Sequence, residues 1–234
     1  MMSSNDFSRY AIYYVPPESD QFTRFAASWF GWDVYKSINV KYPVLSDLNY
    51  DIKEITSTPS KYGLHATLKA PFSLVPDKTI DELRFSLSIL SSSIQKFEIS
   101  SICLKNIAGF IAIVPTTQNE RINYLAKKCL EDLDCFRKAE SPETIKKRRS
   151  VGLSIREEYN LFKWGYPYVL NDFQFHFTMT NKLTPKVSKN VFSVLSAELK
   201  TVLNAPLLIS KVCLFGESIT HRKFEVIEEF SLAD

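Results

Sequence analysis

The chain has 234 residues, 45% apolar and 24% charged, which is enough to bury a substantial core and unlike the composition of a disordered segment. A formal net charge of +3 argues against whole-molecule attraction to nucleic acid or an anionic membrane, so any anion must be held by a local cluster. No run approaches the roughly 20 apolar residues of a membrane span, and MMSSNDFSRY at the N-terminus lacks the basic-then-apolar layout of a secretory signal.

In chain order, RYAIYYVPP (9–17) reads as a strand stopped by two prolines. DQFTRFAASWFGW (20–32) has apolar residues at helical spacing, with Gly31 near its end. Residues 33–61 read as a loop with a short helix near 46–55, and a strand follows at 63–70, ending at Pro71. TIDELRFSLSILSSSI (79–94) is helical, with Thr79 or Asp81 as cap. FEISSICLKNIAGFIAIVP (97–115) reads as two strands around Gly109 and NERINYLAKKCLEDLDCF (119–136) as an amphipathic helix. Two helical pieces in 141–164 precede a strand at 173–180, a helix at 187–203 and a closing hairpin at 207–232. The four cysteines, Cys103, Cys129, Cys135 and Cys213, form no CxxC pair. All four lie in apolar or helical stretches and read as buried free thiols, for which a reducing cytoplasm is the expected setting.

Only three histidines occur, and two of them sit in the same phrase about half a chain apart. These are His65-Ala-Thr67 in YGLHATLKAPF and His176-Phe-Thr178 in FQFHFTMTNKL. Strand side chains alternate between faces. Phe173, Phe175, Phe177 and Met179 therefore share one face, with Gln174, His176, Thr178 and Thr180 on the other. The first strand repeats this, with Leu64, Ala66, Leu68 and Ala70 against His65, Thr67 and Lys69. The repeated motif and the matching order of elements suggest an internal duplication with two lobes.

An antiparallel sheet with one face in water alternates in the same way. Exposed faces, however, ordinarily use Lys, Glu and Thr, not the side chain that titrates near neutrality. Two imidazoles facing each other can act as general base and general acid, and adjacent threonine hydroxyls can donate to phosphodiester oxygens. Which imidazole is the base is not decided by the residues. A zinc site lacks a third ligand, since no Asp, Glu or Cys accompanies either motif, and a serine hydrolase lacks the G-x-S-x-G elbow.

These residues resemble the paired His-x-[Ser/Thr] motifs of the two-histidine (2H) phosphoesterase superfamily. The likeness extends through RYAIYYVPP, KYGLHATLKAPF, AGFIAIVP, WGYPYVLNDFQFHFTMT and the final hairpin to a branch of uncharacterised proteins associated with phosphonate metabolism. The resemblance implies one bilobal α+β domain over 1–234, with two antiparallel sheets facing a central cleft, helices outside and a pseudo-twofold relation. It further implies metal-independent, cofactor-free chemistry in which His65 and His176 are catalytic and Thr67 and Thr178 bind phosphate. A helical insertion is expected at about 137–172. In it, Arg148 or Arg149 would grip a second phosphate or phosphonate, or KKRRS is simply a solvated helix face. Tyr166 and Tyr168 would stack on a base or ribose, or are core aromatics. Lys69 would touch an anionic substrate, or faces solvent, and His221 reads as an exposed loop residue. The expected activity is hydrolysis of a small cyclic phosphate or related phosphodiester. The alternative is an RNA-end processing or RNA-binding protein using the same cleft.

Overall fold

The computed structural model describes residues 6–234; the first five residues of the stretch read above for a signal lie outside them. In chain order the elements are β1 (Phe7–Tyr14), α1 (Gln21–Phe30), β2 (Trp32–Asp33), β3 (Ile38–Asn39), α2 (Ile52–Ile55), β4 (Ala66–Phe72) and α3 (Ile80–Ser92). There follow β5 (Phe97–Ile99), β6 (Ile102–Ile107), β7 (Phe110–Pro115), α4 (Glu120–Asp132), α5 (Pro142–Arg149) and α6 (Ile155–Trp164). The last are β8 (Phe177–Thr178), α7 (Pro185–Glu198), β9 (Leu207–Ile209), β10 (Lys211–Ser218) and β11 (Phe224–Ser231).

Local chemistry accounts for the helix ends. Asp20 caps α1 by accepting from the Phe22 N–H at 2.7 Å, and Gly31 closes it at φ 63°, a left-handed conformation suited to glycine. Thr79 and Glu82 form a reciprocal capping box on α3, as Ser154 and Glu157 do on α6.

The architecture is mixed α+β with antiparallel pairing throughout the main sheet, as the sequence led us to expect. Seven strands run in the order β11-β10-β1-β4-β8-β7-β6. The two halves, β11-β10-β1-β4 and β8-β7-β6, join through one register pair, Ala66 opposite Phe177. The joint is dry, for Ala66 and Phe177 are buried and Phe22 meets the Phe177 ring edge-on at 5.3 Å. Burying each such large apolar side chain contributes about 1.5–3 kcal/mol.

Several boundaries differ from the sequence reading. Region 97–115 holds three strands, because β5 leaves the main sheet to pair with β9. The second motif strand shrinks to Phe177–Thr178, since the residues before it have no ladder partner. The first continues through Pro71 to Phe72. The short helix is Ile52–Ile55, and β2 and β3 form an unforeseen small hairpin. Of the cysteines, Cys129 and Cys213 are buried, but Cys103 is half-buried and Cys135 exposed. All four are free. No helix among the described residues is long and apolar enough to cross a membrane.

Candidate functional site

The register at the joint decides how the two motifs meet. With Ala66 opposite Phe177, antiparallel pairing carried one residue either way sets His65 across from Thr178 and Thr67 across from His176. All four side chains then fall on the face opposite the buried Ala66 and Phe177. The two imidazoles become diagonal neighbours, a separation of roughly 7–8 Å between backbones. They are close enough that a charge on His176 disfavours one on His65. All four side chains stay partly exposed.

Each histidine is anchored in the same way. His65 Nδ1 lies 3.0 Å from the Gly63 carbonyl and His176 Nδ1 lies 2.7 Å from the Gln174 carbonyl. A carbonyl only accepts, so Nδ1 carries the proton and donates, which leaves Nε2 of each neutral ring with its lone pair free. Neither Thr67 nor Thr178 has its hydroxyl hydrogen-bonded within the described residues. Thr180, two positions on, is buried and fully used, accepting from Ile111 N–H at 2.9 Å and donating to the Asn181 carbonyl at 2.8 Å. It therefore serves the backbone and not the motif face.

The turn into the first motif is built around Gly63, at φ +62° with no room for a side chain. A Cβ there would stand 2.2 Å from Val34 Cγ1. Gly63→Ala is expected to cost at least about 1–2 kcal/mol from the backbone alone and to displace the His65 ring. A thermal melt and the chemical shifts of the His65 ring protons check this. The same turn is tied to the end of the second motif by Asn181. Its amide group donates to the Glu54 carbonyl at 2.7 Å and accepts from Thr58 N–H at 2.8 Å. Trp29 Nε1–H adds a bond to the Met179 carbonyl at 2.8 Å.

His65 lies between two tyrosines, its ring centroid 4.4 Å from Tyr13 and 5.4 Å from Tyr62. Burial pushes its pKa down to about 4, His176 adds to the shift and the Gly63 carbonyl opposes it. Between pH 6.5 and about 4 the unfolded chain takes up a proton at this residue and the native protein does not. Stability is therefore expected to fall as pH drops through that window, by up to about 3 kcal/mol at its lower end. Denaturant titrations at several pH values should show that slope, and a His65→Asn variant should lack it.

The remaining predicted residues separate into those near the pair and those away from it. Tyr166 reaches from the insertion to within electrostatic range of Tyr13 and Tyr62. Arg148 lies over the Tyr166 ring at 5.2 Å and pairs with Glu140 at 3.3 Å. Tyr168 meets Tyr166 edge-on at 5.6 Å but is itself exposed. Arg149 is turned away, pairing with Glu158 at 2.9 Å on the outer surface. His221, in the hairpin loop, is exposed and sits 2.9 Å from the Glu225 carboxylate.

Lys69 is neither on the motif face nor in solvent. The β1–β4 register passes from Tyr13 opposite Thr67 to Ile12 opposite Lys69, so β4 spends two residues where β1 spends one. That bulge turns Lys69 to the other face. There its buried ammonium donates to the Leu130 carbonyl at 3.0 Å and Asp134 Oδ1 at 3.1 Å, beneath the end of α4.

Arg9 was missed by the sequence reading, although it stands in the quoted RYAIYYVPP. It shares a face of β1 with Tyr13 by alternation, lies over Phe224 at 5.5 Å and is held by Glu217 at 2.7 and 3.0 Å. An aromatic next to a strand arginine was the only available signal. Elsewhere, a cavity of about 420 Å³ lined by Asn106, Gly109, Ser188 and Phe192 lies by the β6–β7 turn and α7, away from both motifs.

The chain aligns with the apo crystal structure of E. coli LigT at a TM-score of 0.50 and 11% sequence identity, covering 98% of this chain and 100% of that one. It therefore has the LigT-type α+β fold. The chain belongs to the family described as protein of unknown function (DUF1045), whose model matches residues 67–225. Two curated relatives bear the name ribose 1,5-bisphosphate phosphokinase PhnN. The one from Janthinobacterium sp. (strain Marseille) is 26% identical over 84% of this chain and 44% of its own length. The one from Laribacter hongkongensis (strain HLHK9) is 30% identical over 75% of this chain and 40% of its own. The chain thus spans less than half the length of either relative.

Proposed function

We propose that the protein is a phosphodiesterase that opens a small cyclic phosphate by paired-histidine acid–base catalysis. The observation that carries this reading is the cross-strand arrangement of the two motifs, with both Nδ1 atoms tied to carbonyls and both Nε2 atoms free. His65 is the base, because its environment keeps the ring neutral and its lone pair available at physiological pH. Its Nε2 takes a proton from water as the water oxygen attacks phosphorus. The ester bond on the far side breaks, and protonated His176 delivers its Nε2 proton to the departing alkoxide. The product is an open-chain phosphomonoester. Thr67 and Thr178, with hydroxyls unused by the protein, donate to the non-bridging oxygens as negative charge builds. Tyr166, backed by Arg148, lines the substrate's path on the His65 side, with Tyr168 at the rim.

The chemistry is proposed to need no metal, since positioning and charge stabilisation suffice for phosphoryl transfer. The name borne by the two longer relatives favours a phosphorylated ribose as the sugar, in keeping with the phosphonate association of the resembled branch. The RNA reading has less support. Arg9, Arg148 and Arg149 each pair with a carboxylate, so the arginines nearest the motifs do not form an open basic track for a nucleic-acid backbone.

A panel of cyclic phosphates assayed with chelator present tests the proposal. Turnover that resists chelator and varies little with salt is expected. Turnover abolished by chelator would overturn the metal-free mechanism. Tight RNA binding with a steep salt slope would favour the alternative.

A further inference from the structure

Beside His65 the same face carries a group of polar side chains that the bond-breaking chemistry does not use. Tyr13 is 1% exposed, yet its hydroxyl makes no hydrogen bond within the described residues. Tyr14, equally buried, donates to the Leu208 carbonyl at 2.9 Å, and the half-buried Tyr35 donates to the Pro16 carbonyl at 2.9 Å, whereas buried Tyr10, like Tyr13, leaves its hydroxyl unbonded within the described residues. The Tyr13 hydroxyl oxygen itself is not sealed from solvent, so it remains open to an acceptor that a ligand brings. Tyr62, Arg9 and Tyr166 all lie within electrostatic reach of Tyr13, and none of the hydroxyls of Tyr62 and Tyr166 is bonded within the described residues either.

Arg9 completes the group. Glu217 engages its Nε and Nη2, which fixes the guanidinium plane and leaves Nη1 uncommitted. Glu217 is itself held by the Ser8 hydroxyl at 2.9 Å and feels Arg222 as well as Arg9, so this corner carries more positive than negative charge. A continuous aromatic wall separates it from the catalytic ring. Tyr62 stands 5.4 Å from His65 and stacks on Phe224 at 5.0 Å, and Arg9 lies over Phe224 at 5.5 Å. The result is an apolar and hydroxyl-bearing surface that ends in a preset arginine.

We infer that Arg9, with the hydroxyls of Tyr13, Tyr62 and Tyr166, forms a second anion subsite that selects substrates bearing a terminal phosphate monoester in addition to the cyclic phosphodiester. The inference rests on the proposed phosphodiesterase reading for the position of the reacting phosphorus, but the subsite itself does not. An oriented arginine and several O–H donors suit a tetrahedral dianion. The substrate class is then a sugar or nucleoside cyclic phosphate that carries a further phosphate, and an unphosphorylated cyclic nucleoside is a poor mimic.

The test compares kcat/KM for a nucleoside 2′,3′-cyclic phosphate with and without a 5′-phosphate. Wild type should prefer the 5′-phosphorylated form by about 100-fold. The preference should shrink to within a few-fold in Arg9→Gln/Glu217→Gln, which avoids stranding the Glu217 carboxylate, and fall in Tyr13→Phe, which keeps the ring against His65. Equal rates for both substrates in wild type, still abolished by His65→Ala, would overturn the subsite and leave the phosphodiesterase reading standing. If neither substrate is turned over, that reading fails, and ribose 5-phosphate against ribose, titrated by NMR, judges the subsite alone. Selective binding of ribose 5-phosphate that is lost in the Arg9 variant supports it; equal affinity of wild type and variant for ribose 5-phosphate overturns it.

Discussion

His65→Ala and His176→Ala are each expected to lower kcat/KM on a cyclic phosphate by about a thousandfold or more. Losing one proton-transfer group removes roughly 10²–10⁴ of the rate, and groups that work as a unit do not add. The double variant should therefore be little worse than either single one. The two single variants should differ in another respect. His65 is packed between Tyr13 and Tyr62, so His65→Ala also opens a gap, and His65→Gln is the control that fills it. His176, whose nearest aromatic is Phe110 at 6.4 Å, should be replaceable with less effect on stability. Steady-state assays paired with denaturant melts separate the two effects. Turnover within a few-fold of wild type in a folded His65→Gln or His176→Ala protein would end the paired-histidine mechanism.

The largest stability effect is expected at Asp134. Its carboxylate pairs with the buried Lys69 ammonium at 3.1 Å and with Arg137 at 2.8 and 3.0 Å. Asp134→Ala would leave Lys69 charged and enclosed with only the Leu130 carbonyl, a loss of about 3–5 kcal/mol. Lys69→Met removes the buried charge and fills the same space, while Asp134 keeps Arg137. It should cost far less and leave kcat within a few-fold of wild type. That contrast separates a structural lysine from a substrate-binding one. A large rise in KM in a stable Lys69→Met protein would return Lys69 to the site.

Much of this was legible because the informative patterns are local. Alternation in FQFHFTMT and YGLHATLK follows from the pleat alone, and so does the separation of buried Phe175, Phe177 and Ala66 from the motif side chains. The cap of α3, Thr79, and the glycine closing α1 were likewise readable, since caps act within one turn. Lys69 shows the limit of the same reasoning. Strict alternation puts it beside Thr67, but a bulge visible only in the β1–β4 register rotates it away. The rest of the second motif strand could not be foreseen to lack a ladder, because propensity does not say whether a partner strand is within reach.

Residue chemistry by itself determined that each of two scarce histidines would stand two positions before a threonine in a stretch that alternates apolar and polar side chains. Spacing of two in an extended chain puts each pair on one face unless a bulge intervenes, as it does between Thr67 and Lys69. Only the tertiary structure decided that β4 and β8 are neighbours, with Ala66 opposite Phe177 and each histidine immediately before the paired residue of its motif. It alone likewise brought Arg9 from the first strand, Tyr62 from the preceding turn and Tyr166 from the insertion to the His65 side. Those choices depend on which apolar faces bury one another across the whole chain, a property that short-range spacing does not contain.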